Sequence, residues 1–224
     1  MKKPLVIAID GPAGAGKSTC AKALARELHL VYLDTGAMYR ALALKAHENG
    51  VTAEEGDALA ALIHRTNIAF GAGDPPAVLL DHQDVSAEIR SLEIGELASA
   101  ISAHSAVRRA MVCRQQAMVE AGGVILEGRD ATTVIAPHAD LKIYLTASLE
   151  ERSKRRHLEF EASGQESSFE RVRGQIEVRD HRDITREDSP LSVAPDAHIV
   201  ESGGIPIADV VAKIKSLVML VVGG

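Results

Sequence analysis

One octapeptide limits the folds open to this chain more than any other feature: Gly11-Pro12-Ala13-Gly14-Ala15-Gly16-Lys17-Ser18 satisfies G-x-x-x-x-G-K-[ST]. The pattern has meaning only between a strand and a helix, because backbone N–H groups and the positive end of a helix dipole must converge on one phosphate. Both flanks are present. Leu5–Ile9 is a continuous apolar run rich in branched residues, as in a strand buried on both faces of a parallel sheet, and a helical stretch begins near Lys17. Nucleotide phosphates are therefore expected along Gly11, Pro12, Ala13, Gly14, Ala15, Gly16, Lys17, Ser18 and Thr19. Lys17 would bridge the β- and γ-phosphates and the Ser18 hydroxyl would ligate Mg²⁺.

Further buried-strand candidates are Val31–Asp34, Val124–Leu126, Leu141–Thr146 and Ala197–Val200, with helical stretches between them, which indicates a three-layer α/β fold. A chain of 224 residues with 46% apolar side chains fits one domain with insertions. Two regions break the rhythm. Thr52-Ala53-Glu54-Glu55 reads as a capping box opening a helix, after which Asn67–Val85 carries glycines and prolines around strand-like pieces such as Ala77–Leu80, a small inserted β unit. Arg152–Ser168 is polar and reads as a mobile flap between helices.

The net charge of −6 argues against nucleic acid as a partner. The distribution of basic residues says more: from Arg90 to Arg186 thirteen arginines stand against two lysines, and the guanidinium fork is the side chain suited to phosphate. Cys20 and Cys113 form no disulfide framework and are expected to be reduced, buried thiols. The start MKKPLVIAID is too short in apolar residues for a signal peptide, and Leu217–Val222 is too short to span a bilayer, so the chain is expected in the cytoplasm and off the membrane. Nine scattered histidines share no ligand spacing, and Met38, Met111 and Met118 read as core fillers.

A phosphate loop also serves signalling switches. This chain has no N/T-K-x-D element for guanine and no D-x-x-G after a later strand, which favours phosphoryl transfer. Transfer between two anionic phosphates needs neutralisation of charge on the equatorial oxygens. Arg179, Asp183 and Arg186 lie at i, i+4 and i+7 and share a face if Phe169–Thr185 is helical, although a solvated ion-paired face has the same spacing. Gly128-Arg129-Asp130 and Asp34-Thr35-Gly36 each follow a strand, where open α/β sheets bind ligands. A strand-ending turn and a helix cap at Thr35 are the plainer readings.

Taken in order, IDGPAGAGKST, LDTGAMYR, DVSAEIR, VRRAM, EGRD and RDHRDITREDSPL resemble the bacterial cytidylate kinases, members of the nucleoside monophosphate kinase group, over nearly the whole chain. The resemblance implies a P-loop NTPase-type α/β/α core with a central parallel sheet, a monophosphate-binding insertion containing the small β unit, and a short lid. The implied segments are core at 1–34, insertion at 35–103 with the β unit at about 66–90, core at 104–151, lid at 152–168 and core at 169–224. It implies transfer of the γ-phosphate of MgATP to CMP and dCMP by a monomer. Ser99, Arg108 and Asp130 would read the base, and Asp183 with Arg179 would hold the ribose. Thr35, Arg40, Arg129 and Arg186 would surround the acceptor phosphate, Arg152 and Arg156 would close over ATP, and Lys17, Arg129, Arg156 and Arg186 would form the catalytic set. A monophosphate kinase for UMP or AMP is the rival within the group. In one place the chain departs from the pattern: a glycine is expected after the G-R-D-x segment, and Thr132 stands there, whose Cβ would shift the turn carrying Asp130.

Overall fold

The computed structural model describes residues 4–162, 164 and 167–223. Lys2 and Lys3, and residues 163, 165 and 166 of the expected flap, lie outside the described residues. In chain order the elements are β1 (Val6–Asp10), α1 (Lys17–Leu28), β2 (Val31–Asp34), α2 (Thr35–Glu48), α3 (Gly56–Arg65), β3 (Ile68–Phe70), β4 (Val78–Leu80) and β5 (Gln83–Asp84). Then come a 3₁₀ turn (Glu88–Arg90), α4 (Leu92–Ile101), α5 (Ser105–Val119), β6 (Val124–Glu127), a π turn (Ala131–Ile135), β7 (Leu141–Thr146), α6 (Leu149–Ala162), α7 (Phe169–Thr185), β8 (His198–Glu201) and α8 (Ile207–Val222).

Five strands form a parallel sheet in the order β2-β6-β1-β7-β8, with β1 at its centre. Every residue of β1 and β6 is buried, which is what their unbroken apolar runs require in a sheet covered by helices on both faces. Ile7 and Ile9 face the layer that also takes Leu24 of α1 and Ile214 of α8, while Ala8 and Leu126 face the opposite layer with Ile135. Each fully buried Ile or Leu contributes about 1.5–3 kcal/mol. The register puts Asp10 beside Tyr144, and Ile9 and Asp34 beside Glu127, so three acidic residues end adjacent strands on one edge. That carboxyl-terminal edge is where the functional loops gather.

Between β2 and β6 a separate apolar cluster joins α2, α3, α4 and α5 to the antiparallel sheet β3-β4-β5. Met38 and Met111 are buried in it and Met118 packs against it. No helix among the described residues is long and apolar enough to cross a membrane.

Four local readings are corrected. The Thr52–Glu55 box forms only in part: the Thr52 N–H donates to Glu55 Oε2 at 2.8 Å, but the segment is a turn and α3 starts at Gly56. His104 holds that turn from outside, its Nε2 2.5 Å from the Ala53 carbonyl oxygen. β8 is not buried on both faces; it is an edge strand with only Val200 covered. Cys113 lies on the open side of α5 and is exposed, whereas Cys20 is buried. Finally, most of the expected flap is the regular helix α6, which begins at Leu149 and packs along α7.

Candidate active site

The phosphate loop leaves β1 through Gly11, whose φ of +148° brings the backbone so close to β7 that a Cβ would sit 1.9 Å from the Leu145 carbonyl oxygen. Gly14 and Gly16 also have positive φ, and α1 starts directly after them. Two side chains fasten the loop from beneath. Asp180 of α7 accepts from the Ala13 N–H at 2.9 Å, and Arg152 of α6 donates to the Ala13 carbonyl at 2.8 Å and to Asp180 at 2.5 Å. Ser202, just after β8, donates to the Ala15 carbonyl at 2.9 Å and is itself gripped by Arg155.

Lys17 is buried and donates to the carbonyls of Gly11 and Pro12 at 2.8 and 2.7 Å. Burial, then the positive charge of Arg129, lowers its pKa to about 7. Ser18 donates to Glu127 Oε1 at 2.5 Å, and the Tyr32 hydroxyl donates to the same oxygen at 3.0 Å. This arrangement fits Mg²⁺ accompanying a nucleotide: the hydroxyl proton is directed at Glu127, which leaves the oxygen lone pairs for a metal and a carboxylate behind them. Among the described residues no cluster of three His, Cys, Asp or Glu side chains is placed to hold a metal without the phosphates.

A cleft of about 450 Å³ opens in front of the loop, lined by Gly14 to Thr19 on one side and by Arg40, Arg129, Arg156 and Arg179 on the other. These cations are crowded. Burial and then Arg179 and Arg90 lower the pKa of Arg40 to about 10, and burial and then Arg129 do the same to Arg179, whose Nε is buried without a hydrogen-bond partner. Arg156 lies over the Phe160 ring at 4.5 Å and pairs with the exposed Glu159. A site with surplus, desolvated guanidinium groups is a site for a polyanion.

Deeper lies a second cluster whose charged groups pair with one another. Asp183 receives Arg129 Nε at 2.8 Å and Arg186 Nη1 at 3.3 Å, with Arg179 Nε 4.0 Å away. Burial alone would raise the Asp183 pKa, but Arg129, Arg179 and Arg186 outweigh it and hold the carboxyl below its usual range. Arg108 is fully buried, pairs with Asp130, and lies over the Tyr39 ring at 5.4 Å; the Tyr39 hydroxyl has no hydrogen-bond partner. Ser99 accepts from Arg182 at 2.8 Å.

The structure thus brings Lys17, Ser18, Arg40, Arg129, Arg156 and Arg179 to the cleft, and Ser99, Arg108, Asp130, Asp183 and Arg186 to the adjoining cluster. Two expected residues stand elsewhere. Thr35 donates to the Glu127 carbonyl at 2.7 Å and faces the core; the cap of α2 is Asp34, which accepts from the Ala37 N–H. Arg152 is buried under the loop, its Nε donating to the Ala147 carbonyl and its Nη1 to the Ala13 carbonyl and Asp180. Four contributors escaped sequence reasoning: Asp180, Glu127, Arg155 and Tyr39. Glu127 had a usable signal, an acid ending an otherwise apolar buried strand next to a second strand ending in Asp34.

A parallel sheet with a lysine-bearing phosphate loop, facing a cluster of arginines across one cleft, defines the class of P-loop phosphotransferases. A gluconokinase from Sinorhizobium meliloti shares the fold (TM-score 0.50, 14% identity, 100% of this chain and 97% of that one). The profile of the cytidylate kinase family matches residues 7–219. Cytidylate kinases of Listeria welshimeri and Carboxydothermus hydrogenoformans are each 45% identical, over 97% of both chains in the first case and over 95% of this chain and 96% of the relative in the second. The chain belongs to the cytidylate kinase family.

Proposed function

We propose that this protein, acting as a monomer, transfers the γ-phosphoryl group of ATP to the 5′-phosphate of CMP and of dCMP by direct in-line attack. The observation that carries the reading is the crowding of positive charge around one cleft that the phosphate loop enters from the other side: Lys17 is buried, and Arg40 and Arg179, partly exposed to the cleft, are held below the usual guanidinium range by burial and by the arginines beside them. Two phosphate chains meeting there would satisfy it.

In the transfer, an oxygen of the acceptor phosphate attacks the γ-phosphorus, the bond from that phosphorus to the β,γ-bridging oxygen breaks, and ADP and the nucleoside diphosphate leave. Lys17 gives up its two carbonyl partners for the β- and γ-oxygens. Arg129 neutralises the equatorial oxygens together with Arg156, which reaches them from α6, and Arg40 and Arg186 hold the acceptor phosphate. Ser18, with Glu127 behind it, would hold Mg²⁺, which would supply further neutralisation of phosphate charge. Arg152 is assigned to supporting the loop. The pyrimidine is read by Ser99, Arg108 and Asp130, whose mixed donors and acceptors match an exocyclic amine beside a ring nitrogen and carbonyl, and the sugar by Asp183 with Arg179. Movement of α6 toward the cleft, which Arg156 lines, would exclude water from the transferred group.

Coupled ADP release with MgATP and CMP, dCMP, UMP, AMP, dTMP or no acceptor tests this. Fast release with CMP and dCMP alone, and its loss in Lys17→Ala, is the expected outcome; release that ignores the acceptor refutes the reading.

A further inference from the structure

Asp10 is the last residue of β1, fully buried, and separated by one peptide bond from the loop that begins at Gly11. Its carboxylate makes no contact with the cleft. Instead it accepts three hydrogen bonds from the turn after β6: the Ala131 N–H to Oδ1 at 2.9 Å, and the Thr132 N–H and Thr132 hydroxyl to Oδ2 at 2.7 and 2.6 Å. Arg129 and Asp130, which face the two halves of the site, stand directly before those donors. The same junction is tied once more by the Gly128 N–H to the Ile9 carbonyl at 2.9 Å. Thr132 is itself buried, so its Cβ has been accommodated within the π turn Ala131–Ile135, and its hydroxyl supplies a donor that a glycine lacks.

We propose that Thr132 is a positioning residue: through its hydroxyl it completes a three-donor clamp on Asp10 that fixes the Gly128–Asp130 turn relative to the phosphate loop. The inference rests on the phosphoryl-transfer reading for its kinetic consequence, while the clamp itself is independent of it. A hydroxyl donated to an ionised, buried carboxylate is among the stronger hydrogen bonds, and positional errors of a fraction of an ångström between reacting groups lower rates steeply. The ionised state of Asp10 is opposed by burial and by the neighbouring carboxylate of Asp130, and favoured by the three donors and by Lys17; Tyr144, paired beside it on β7, is the other titratable neighbour. Without the hydroxyl, Asp10 takes up a proton at higher pH and the clamp opens over a wider acid range.

The test compares the full chain with Thr132→Val, Thr132→Gly and Thr132→Ser. Valine preserves the shape without the hydroxyl, glycine removes both, and serine restores the hydroxyl alone. Expected are a kcat with CMP about tenfold lower in Thr132→Val and Thr132→Gly near neutral pH, with the KM for ATP changed less than twofold. The acid limb of the pH profile should move up by about one unit, and both properties should recover in Thr132→Ser. Amide hydrogen exchange across residues 128–135 should quicken in the first two variants and not in the third. Equal kinetics and equal exchange in Thr132→Val and the parent, or a loss that serine fails to rescue, overturns the proposal. If the parent itself does not phosphorylate CMP, the functional reading falls, and the exchange comparison still decides the clamp.

Discussion

Replacing Asp180 by alanine tests how the phosphate loop is held. Asp180 and Arg152 form a buried pair, with side chains 12% and 9% exposed, at 2.5 Å, and the other Asp180 oxygen accepts the Ala13 N–H at 2.9 Å. Removing one partner of a buried pair costs about 3–5 kcal/mol, because the remaining charge is left uncompensated. Arg152 keeps the carbonyls of Ala13 and Ala147, at 2.8 and 3.0 Å, so the lower end, about 3 kcal/mol, is expected. For a chain of this size that corresponds to a fall of about 6–12 °C in Tm, read by circular dichroism without ligand and checked by urea unfolding. The freed loop should also raise the KM for ATP by about tenfold. In the double variant Asp180→Ala/Arg152→Met neither charge remains, so it should be more stable than Asp180→Ala alone, with a coupling energy of about 2 kcal/mol. A loss below about 1 kcal/mol in Asp180→Ala, or additive losses in the double variant, would refute the reasoning.

Three further outcomes follow from the site. In the unliganded protein Lys17 loses its proton near pH 7, against 10.5 for the ordinary ammonium, so between these values the unfolded chain holds the extra proton and raising the pH favours the folded state. The parent should therefore gain about 2 kcal/mol of stability between pH 7 and 9 relative to Lys17→Met in urea titrations, and equal pH slopes would contradict the burial of that charge. Glu127→Gln removes the carboxylate that orients Ser18 and Tyr32; kcat should drop by about tenfold or more and the Mg²⁺ concentration for half-activity should rise, with an unchanged Mg²⁺ requirement counting against the assignment. The crowding of Arg40 and Arg179 predicts that CMP or millimolar inorganic phosphate raises Tm, and that Arg179→Met shrinks the rise; a Tm indifferent to both anions would remove the case for an anion cleft.

The parts legible in the sequence are those whose physics is local. The runs at β1 and β6 had to be buried strands because nothing polar interrupts them before their last residue, β7 follows the same pattern around a single Lys142 paired with Asp196, and α7 spans the residues its charge spacing implied. The phosphate loop was readable because its glycines and lysine carry their geometry with them. What could not be read was set by partners far along the chain. Thr35 looked like a ligand or a cap, yet its hydroxyl is taken by the Glu127 carbonyl, 92 positions away, and Asp34 does the capping. Arg152 stood in a polar stretch that suggested a lid, but Asp180, one residue off the face shared by Arg179, Asp183 and Arg186, draws it under the loop.

The same distinction bears on how specificity arises. The family resemblance assigned residues to the base and sugar, but it did not foretell that they would be paired to one another and to their neighbours: Arg108 with Asp130, and Asp183 with Arg129 and Arg186. Under the proposed function a substrate must therefore exchange with existing ion pairs and compensate both partners at once. A base that presents a donor to Asp130 and an acceptor to Arg108 together does so; one that turns a carbonyl oxygen toward Asp130 leaves a buried carboxylate facing a lone pair, a penalty of the kind that gives polar sites their large discrimination. Selectivity then draws on paired charges, Arg108 with Asp130 above all, while phosphate binding draws on the crowded cations of the cleft, whose cost without ligand appears in the lowered pKa values of Lys17, Arg40 and Arg179.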